Sequence, residues 1–230
     1  LAKLMNLDPQ SIMVIPDGID LATFFGLQAR TANLVETLQI SQCAPILLTP
    51  VRIARRKNLE LTLDTLAELR HDFPQAILVV TGPPNMRNPA NVEYLEMLQR
   101  HRRSLGLDGC AHFLAEYLPE GLSPAELADF YRLADLMLLP SREEGFGMPI
   151  LEAGVSGLPI FCSDLPALRG LAGEAAEYFS PDEDPRRLAF RITQTLQGDS
   201  RYRLKARIRQ EYTWEAVYRR NVAPLLERRQ

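Results

Sequence analysis

Two stretches of this chain hold the residue types best suited to chemistry. The first, Pro140 to Glu152, reads Pro-Ser-Arg-Glu-Glu-Gly-Phe-Gly-Met-Pro-Ile-Leu-Glu. Gly145 and Gly147 let the backbone turn tightly or approach a ligand closely. Pro149 stands where a helix should begin, because a first-turn residue has no use for its missing N–H. The N–H groups of Gly147, Met148 and Ile150 are then expected to project from the positive end of that helix, an arrangement that receives anions. Glu144 and Glu152 flank the turn, and a carboxylate accepts from two hydroxyl donors at once, which suits a polyol. Read singly, Glu152 is equally well explained as a favourable charge near a helix N-terminus, and Glu144 as an exposed loop acid. The second stretch is Val51-Arg52-Ile53-Ala54-Arg55-Arg56-Lys57-Asn58, with four cations within six residues. An ammonium and a planar guanidinium side by side hold a doubly charged anion such as a diphosphate; a solvated basic loop is the other reading.

Both stretches follow short apolar runs. Runs of strand type occur at Ile12 to Ile15, Ile46 to Thr49, Ala76 to Val80, Ala111 to Leu114, Leu136 to Leu139, Pro159 to Cys162 and Glu177 to Phe179. Between most of them the apolar spacing becomes helical. Leu59, Leu61, Leu63, Leu66 and Leu69 mark one helix, and Val92, Leu95 and Leu98 a second, with Leu105 after a turn. Leu127, Phe130, Tyr131 and Ala134 mark a third, with Ser123 as N-cap and Pro124 at the first helical position. Strands alternating with helices predict an α/β fold, a Rossmann-like three-layer sandwich around a parallel sheet. In such sheets ligands bind beyond the carboxyl ends of the strands, where both stretches lie. Residues 1–43 precede the regular alternation as a leading segment. Residues 200–230 form an appended helical tail whose arginines read as a solvated face. The reading is one domain over 1–230.

Composition narrows the function classes. The chain is 46% hydrophobic and 24% charged, so it can build a core. Its net charge of −3 argues against a nucleic-acid partner. Cys43, Cys110 and Cys162 are far apart and odd in number, and read as buried reduced thiols. His71, His101 and His112 lack a ligand spacing with any cysteine, so no metal site is expected. No apolar run reaches the roughly 20 residues of a membrane span, and the reading is cytoplasmic, with membrane association of a longer protein left open. The chain opens on Leu1, so targeting is not read from it.

The segment Glu144-Gly-Phe-Gly-Met-Pro-Ile-Leu-Glu152-Ala resembles the paired-glutamate motif of the family 4, or "group 1", retaining glycosyltransferases. Other segments agree in order: Val14-Ile-Pro-Asp-Gly-Ile-Asp20, Arg52 and Lys57 with Asn58, Val79-Val-Thr-Gly82, Tyr131-Arg-Leu-Ala-Asp135 and Cys162-Ser-Asp-Leu-Pro-Ala-Leu-Arg169. The match runs from about Leu7 to Tyr218 and concerns the family's C-terminal domain. The resemblance implies the donor-binding half of a GT-B fold, with an N-terminal acceptor domain absent from this chain. It also implies a metal-independent, cofactor-free transfer of a hexose from a UDP- or GDP-sugar. Arg52 and Lys57 would then hold the diphosphate, Glu144 the sugar hydroxyls and Glu152 the ribose. The backbone from Gly145 through Phe146, Gly147, Met148 and Pro149 to Ile150 would cradle sugar and phosphate, and Gly82 would let the nucleotide come close. Val51 departs from the family, which often has glycine there. The unpaired half-cleft makes a homo-oligomer plausible. A non-catalytic nucleotide-sugar-binding or scaffold domain is the alternative. A Rossmann dehydrogenase is disfavoured, because no Gly-x-Gly-x-x-Gly follows the first strand, and no motif makes Lys57 or Lys205 a pyridoxal phosphate lysine.

Overall fold

Four-residue runs such as Ile46-Leu-Leu-Thr49 and Leu136-Met-Leu-Leu139 carry no polar alternation, so they are stable only as strands covered on both faces. The computed structural model, which describes residues 2–5, 8, 10 and 12–227, places them so. Six strands form one parallel sheet: β1 Ile46–Thr49, β2 Ile77–Val80, β3 Ala111–Phe113, β4 Leu136–Leu139, β5 Ile160–Ser163 and β6 Glu177–Phe179. Their order is β3-β2-β1-β4-β5-β6. β1 pairs with β2 through Leu48 and Val79 and with β4 through Leu47 and Leu136. β1 and β4 are thus neighbours whose onward connections leave in opposite directions. Their carboxyl ends frame the crevice where open α/β sheets take ligands.

The helices are α1 Ala2–Met5, α2 Leu21–Phe25, α3 Ala29–Thr37, α4 Leu59–Asp72, α5 Pro89–Ser104, α6 Pro124–Leu133, α7 Met148–Val155, α8 Pro166–Ala172, α9 Pro185–Gly198, α10 Ser200–Glu211, α11 Trp214–Val217 and α12 Ala223–Glu227. α6 starts as its sequence predicts: Ser123 and Glu126 form a reciprocal capping box ahead of Pro124. α4 packs along α9, burying Leu59, Leu63, Leu66 and Leu69 against the core with Leu188, Ile192 and Leu196. Each such side chain contributes roughly 1.5–3 kcal/mol by leaving water. Among the described residues no helix is long and apolar enough to cross a membrane.

Two expectations fail. Ile12 to Ile15 is not a strand: among the described residues it joins no ladder, and Met13, Val14 and Ile15 are exposed. An apolar run makes a strand only where a neighbour supplies hydrogen bonds, and among the described residues this one meets none. After it the chain makes an isolated parallel bridge between Ile19 and Thr213. The tail arginines, in turn, are not uniformly solvated. Arg209 is 1% exposed, and its guanidinium donates to Asp135 Oδ2 at 2.5 Å and to the Leu133 carbonyl. Lys205 donates to the Ala134 carbonyl at 2.5 Å and lies 3.2 Å from Asp135 Oδ1. Asp135 also accepts the Ile46 N–H at 2.9 Å. One buried carboxylate thereby pins α10 to the amino end of β1. The leading segment is tied by another, Asp129, which accepts the Gln28 N–H at 2.9 Å.

The three cysteines are free, two of them buried and Cys43 half-buried. Burial raises all three thiol pKa values, that of Cys162 to about 12.

Candidate functional site

The residues singled out by type and spacing converge beyond the ends of β1 and β4. After β1 the chain makes a short 3₁₀ turn, Arg55–Lys57, and Asn58 then adopts a left-handed conformation at φ 53° before α4 begins. That kink turns Lys57 inward. Its Nζ donates to Glu144 Oε1 at 2.5 Å, and both side chains are under one-tenth exposed. Ser141 Oγ donates to the same oxygen at 2.7 Å. Two charges taken out of water hold only when paired and hydrogen-bonded, and here each supplies the other's partner. Asn58 ties the surrounding loops: its Nδ2 donates to the Pro140 carbonyl at 3.1 Å and the Pro181 carbonyl at 2.8 Å.

The other cations of the basic stretch divide. Arg55 lies over the Tyr94 ring at 5.4 Å, and Arg56 donates to the Glu143 carbonyl at 3.2 Å. Arg52 is exposed and makes no hydrogen bond or ion pair among the described residues. Among the described residues it is the one cation of this stretch without such a partner. Gly82 sits against this loop: a Cβ there would stand 2.5 Å from the Val51 carbonyl oxygen and 2.7 Å from the Arg52 nitrogen. What its missing side chain admits is the backbone that carries Arg52.

On the β4 side, Gly147 is the N-cap of α7 at φ 98°, and a Cβ there would come 2.7 Å from Leu168. Both observations demand glycine. Met148, not Pro149, is the first helical residue, with Pro149 second. The expectation of a free Ile150 amide is corrected, because Ile150 N–H donates to the Gly147 carbonyl at 2.9 Å. The helix begins one residue earlier than the spacing implied, so this amide already falls within its first turn. Gly145, Phe146 and Met148 are exposed on the turn, while Gly147 and Ile150 are buried beneath it.

Glu152 lies one turn into α7 and accepts from Tyr131 Oη at 2.6 Å through Oε2. Tyr131 is buried, and burial first, then the adjacent carboxylate, raises its phenol pKa. The two glutamates share one design. Glu144 uses Oε1 and Glu152 uses Oε2 for internal bonds, while among the described residues the second oxygen of each accepts none. Beside Glu152 a groove of about 360 Å³ runs between α6 and α7, lined by Pro124, Leu127, Tyr131, Leu151 and Val155.

Ser141 and Tyr131 are the site members that sequence reasoning missed as such. Tyr131 is 21 residues from its partner, and no local spacing reveals that contact. The chain's Asp-x-Asp sequence, Asp182-Glu183-Asp184, is engaged within the protein: Asp182 pairs with Arg142 at 2.6 Å, and Asp184 caps α9. Among the described residues no three His, Cys, Asp or Glu side chains gather as a metal site.

Comparison with known proteins gives the family and the fold. Residues 32–211 match the family model "Glycosyl transferases group 1". D-inositol 3-phosphate glycosyltransferase from Kineococcus radiotolerans is 31% identical over 96% of this chain and 54% of its own length. Lipopolysaccharide 1,2-N-acetylglucosaminetransferase from Salmonella typhimurium is 28% identical over 94% of the chain and 56% of its own. The chain thus spans about half the length of these curated relatives. Among solved structures, Anabaena Alr3699/HepE in complex with UDP superposes with TM-score 0.62 at 18% identity, covering 98% of this chain and 60% of that one. The C-terminal domain of a group 1 glycosyl transferase from Francisella tularensis covers 80% of this chain and 91% of that domain, with TM-score 0.54 and 21% identity. The chain belongs to the group 1 glycosyltransferases.

Proposed function

We propose that this domain binds a nucleoside-diphosphate sugar and presents it for transfer with retention to an acceptor held by a second, N-terminal domain. The observation that carries the reading is the buried Lys57–Glu144 pair at the junction of β1 and β4, with Arg52 uncommitted beside it. Arg52 and Lys57 offset the charge that develops on the departing diphosphate, aided by the α7 N-terminus; fixed charges of this kind are worth most where water is excluded. The open oxygen of Glu144 accepts from the sugar hydroxyls and that of Glu152 from the ribose, with the base lying along the α6–α7 groove. UDP is favoured over GDP as the nucleotide, because the structure of the Anabaena relative was solved with UDP and also with UDP and glucose.

Calorimetry with UDP, GDP and UMP in the presence of a chelator tests the donor site. UDP is expected to bind more tightly than UMP without a divalent ion, and binding that vanishes on chelation refutes the reading. Transfer is expected only when the domain is joined to an upstream acceptor domain, because holding the two reactants together supplies about 7–11 kcal/mol of the barrier. Equal transfer by this domain alone refutes the division of labour.

A further inference from the structure

A second groove, sharing no lining residue with the site above, runs between α3 and the start of α11 and encloses about 960 Å³. That volume is in the range of small-molecule sites. One wall is the half-exposed indole of Trp214. The main chain that carries the indole is held in place. Ile19 N–H donates to the Tyr212 carbonyl at 2.8 Å, Trp214 N–H points to the Ile19 carbonyl at 3.4 Å, and Thr213 Oγ1 caps α11 at 3.2 Å. The ring rests on Gly18, where a Cβ would stand 2.7 Å from Cδ2. The facing wall is α3. Ala29 and Ala32 keep it low, and Asn33 and Glu36, three residues apart, share its rim.

The lining has a definite chemistry. No lysine or arginine is in it. Asp20 is spent on capping α2, and Glu215 is paired with Arg219 at 2.8 Å. The Glu36 carboxylate has no partner among the described residues. Among the described residues the cation that touches this lining, Arg219, is committed to Glu215 and Gln42, which leaves no free cation to hold a phosphate or nucleotide. A fixed aromatic face beside a free carboxylate and an amide suits a neutral ring that is apolar on one side and hydroxylated at its edge.

We propose that this groove is a carbohydrate-binding site for a neutral oligosaccharide, with a pyranose stacked on Trp214 and its hydroxyls donating to Glu36. The site stands independently of the donor site. Trp214 is the sole tryptophan of the chain, so its emission, excited where tyrosine is silent, reports on this groove alone. Maltotriose, mannotriose and chitotriose are titrated to roughly 10 mM, which reads dissociation constants of order 1 mM, alongside tetramethylammonium and trilysine. A saturable change with at least one trisaccharide is expected, weakened about tenfold or more by Glu36→Gln, with UDP affinity unaltered in the variant. Glu36 is exposed on a helix, so the variant retains the fold. No saturable change with any trisaccharide, an unchanged affinity in Glu36→Gln, or a response to the cations only overturns the proposal.

Discussion

Replacing Arg209 with methionine is expected to cost more than any other single change in the tail. The substitution keeps most of the aliphatic stem and removes the charge, leaving Asp135 buried without its principal partner. Breaking a buried ion pair from one side costs about 3–5 kcal/mol, because the remaining charge is uncompensated. Lys205, 3.2 Å from the other carboxylate oxygen, supplies part of the lost attraction and places the expectation near the lower limit, about 3 kcal/mol. For a domain of this size that is a fall in Tm of roughly 6–12 °C. Urea unfolding followed by circular dichroism measures it, with Arg207→Met as control. Arg207 pairs with Glu211 in solvent, and such pairs are worth roughly 0.2–1 kcal/mol. Adding Asp135→Asn to Arg209→Met should cost less than the sum of the two single changes, since the orphaned charge is then gone. A loss below about 1 kcal/mol for Arg209→Met, or one equal to the Arg207 control, refutes the idea that one buried carboxylate fastens the tail.

Three further outcomes follow from the geometry. Gly82→Ala drives a Cβ into the Val51 carbonyl; it should cost about 1–3 kcal/mol of stability by overpacking and weaken UDP binding by shifting Arg52, and an unaltered Tm would contradict this. Glu152→Ala should weaken UDP and UDP-glucose alike by about 1–3 kcal/mol, whereas Glu144→Ala should spare UDP and reduce the added affinity of the sugar; calorimetry showing equal losses in both variants would mean the roles are misassigned. Burial and then Arg102 lower the pKa of His112, so the unfolded chain binds this proton more readily than the folded one. Its contribution to stability is complete above about pH 6.5 and is lost as the pH falls through the lowered folded-state value. Denaturation midpoints should show that decline in the wild type and not in His112→Gln.

The apolar runs made β1, β2, β4 and β5 legible, because only two-sided burial tolerates them, and Ser123-Pro124 with Glu126 made the start of α6 legible from three residues within one turn. Ile12 to Ile15 has the same composition as a strand and is not one, since pairing depends on a neighbour that local pattern does not report. Arg209 was hidden for a related reason: Arg201, Arg203, Arg207 and Arg209 look alike along a helix, and only the position of Asp135, 74 residues away, distinguishes the buried one. At the candidate site, the glycines and the two glutamates were visible because turns and helix starts are local. The Lys57–Glu144 contact and the Tyr131 bond to Glu152 cross between elements, and appear only once β1, β4, α6 and α7 are assembled.

Asn58 carries a consequence for how this domain can acquire a new specificity. One amide group lashes the segment after β1 to those after β4 and β6, through the carbonyls of Pro140 and Pro181. A change of backbone course around Pro181, which makes no contact with Lys57 or Glu144 among the bonds described above, is transmitted to both through that amide. In directed evolution, libraries confined to the crevice would therefore vary the side chains of a frame they cannot reshape. Randomising residues 180–182 would move the frame itself, and productive hits should accumulate there although the segment is remote in sequence from either glutamate.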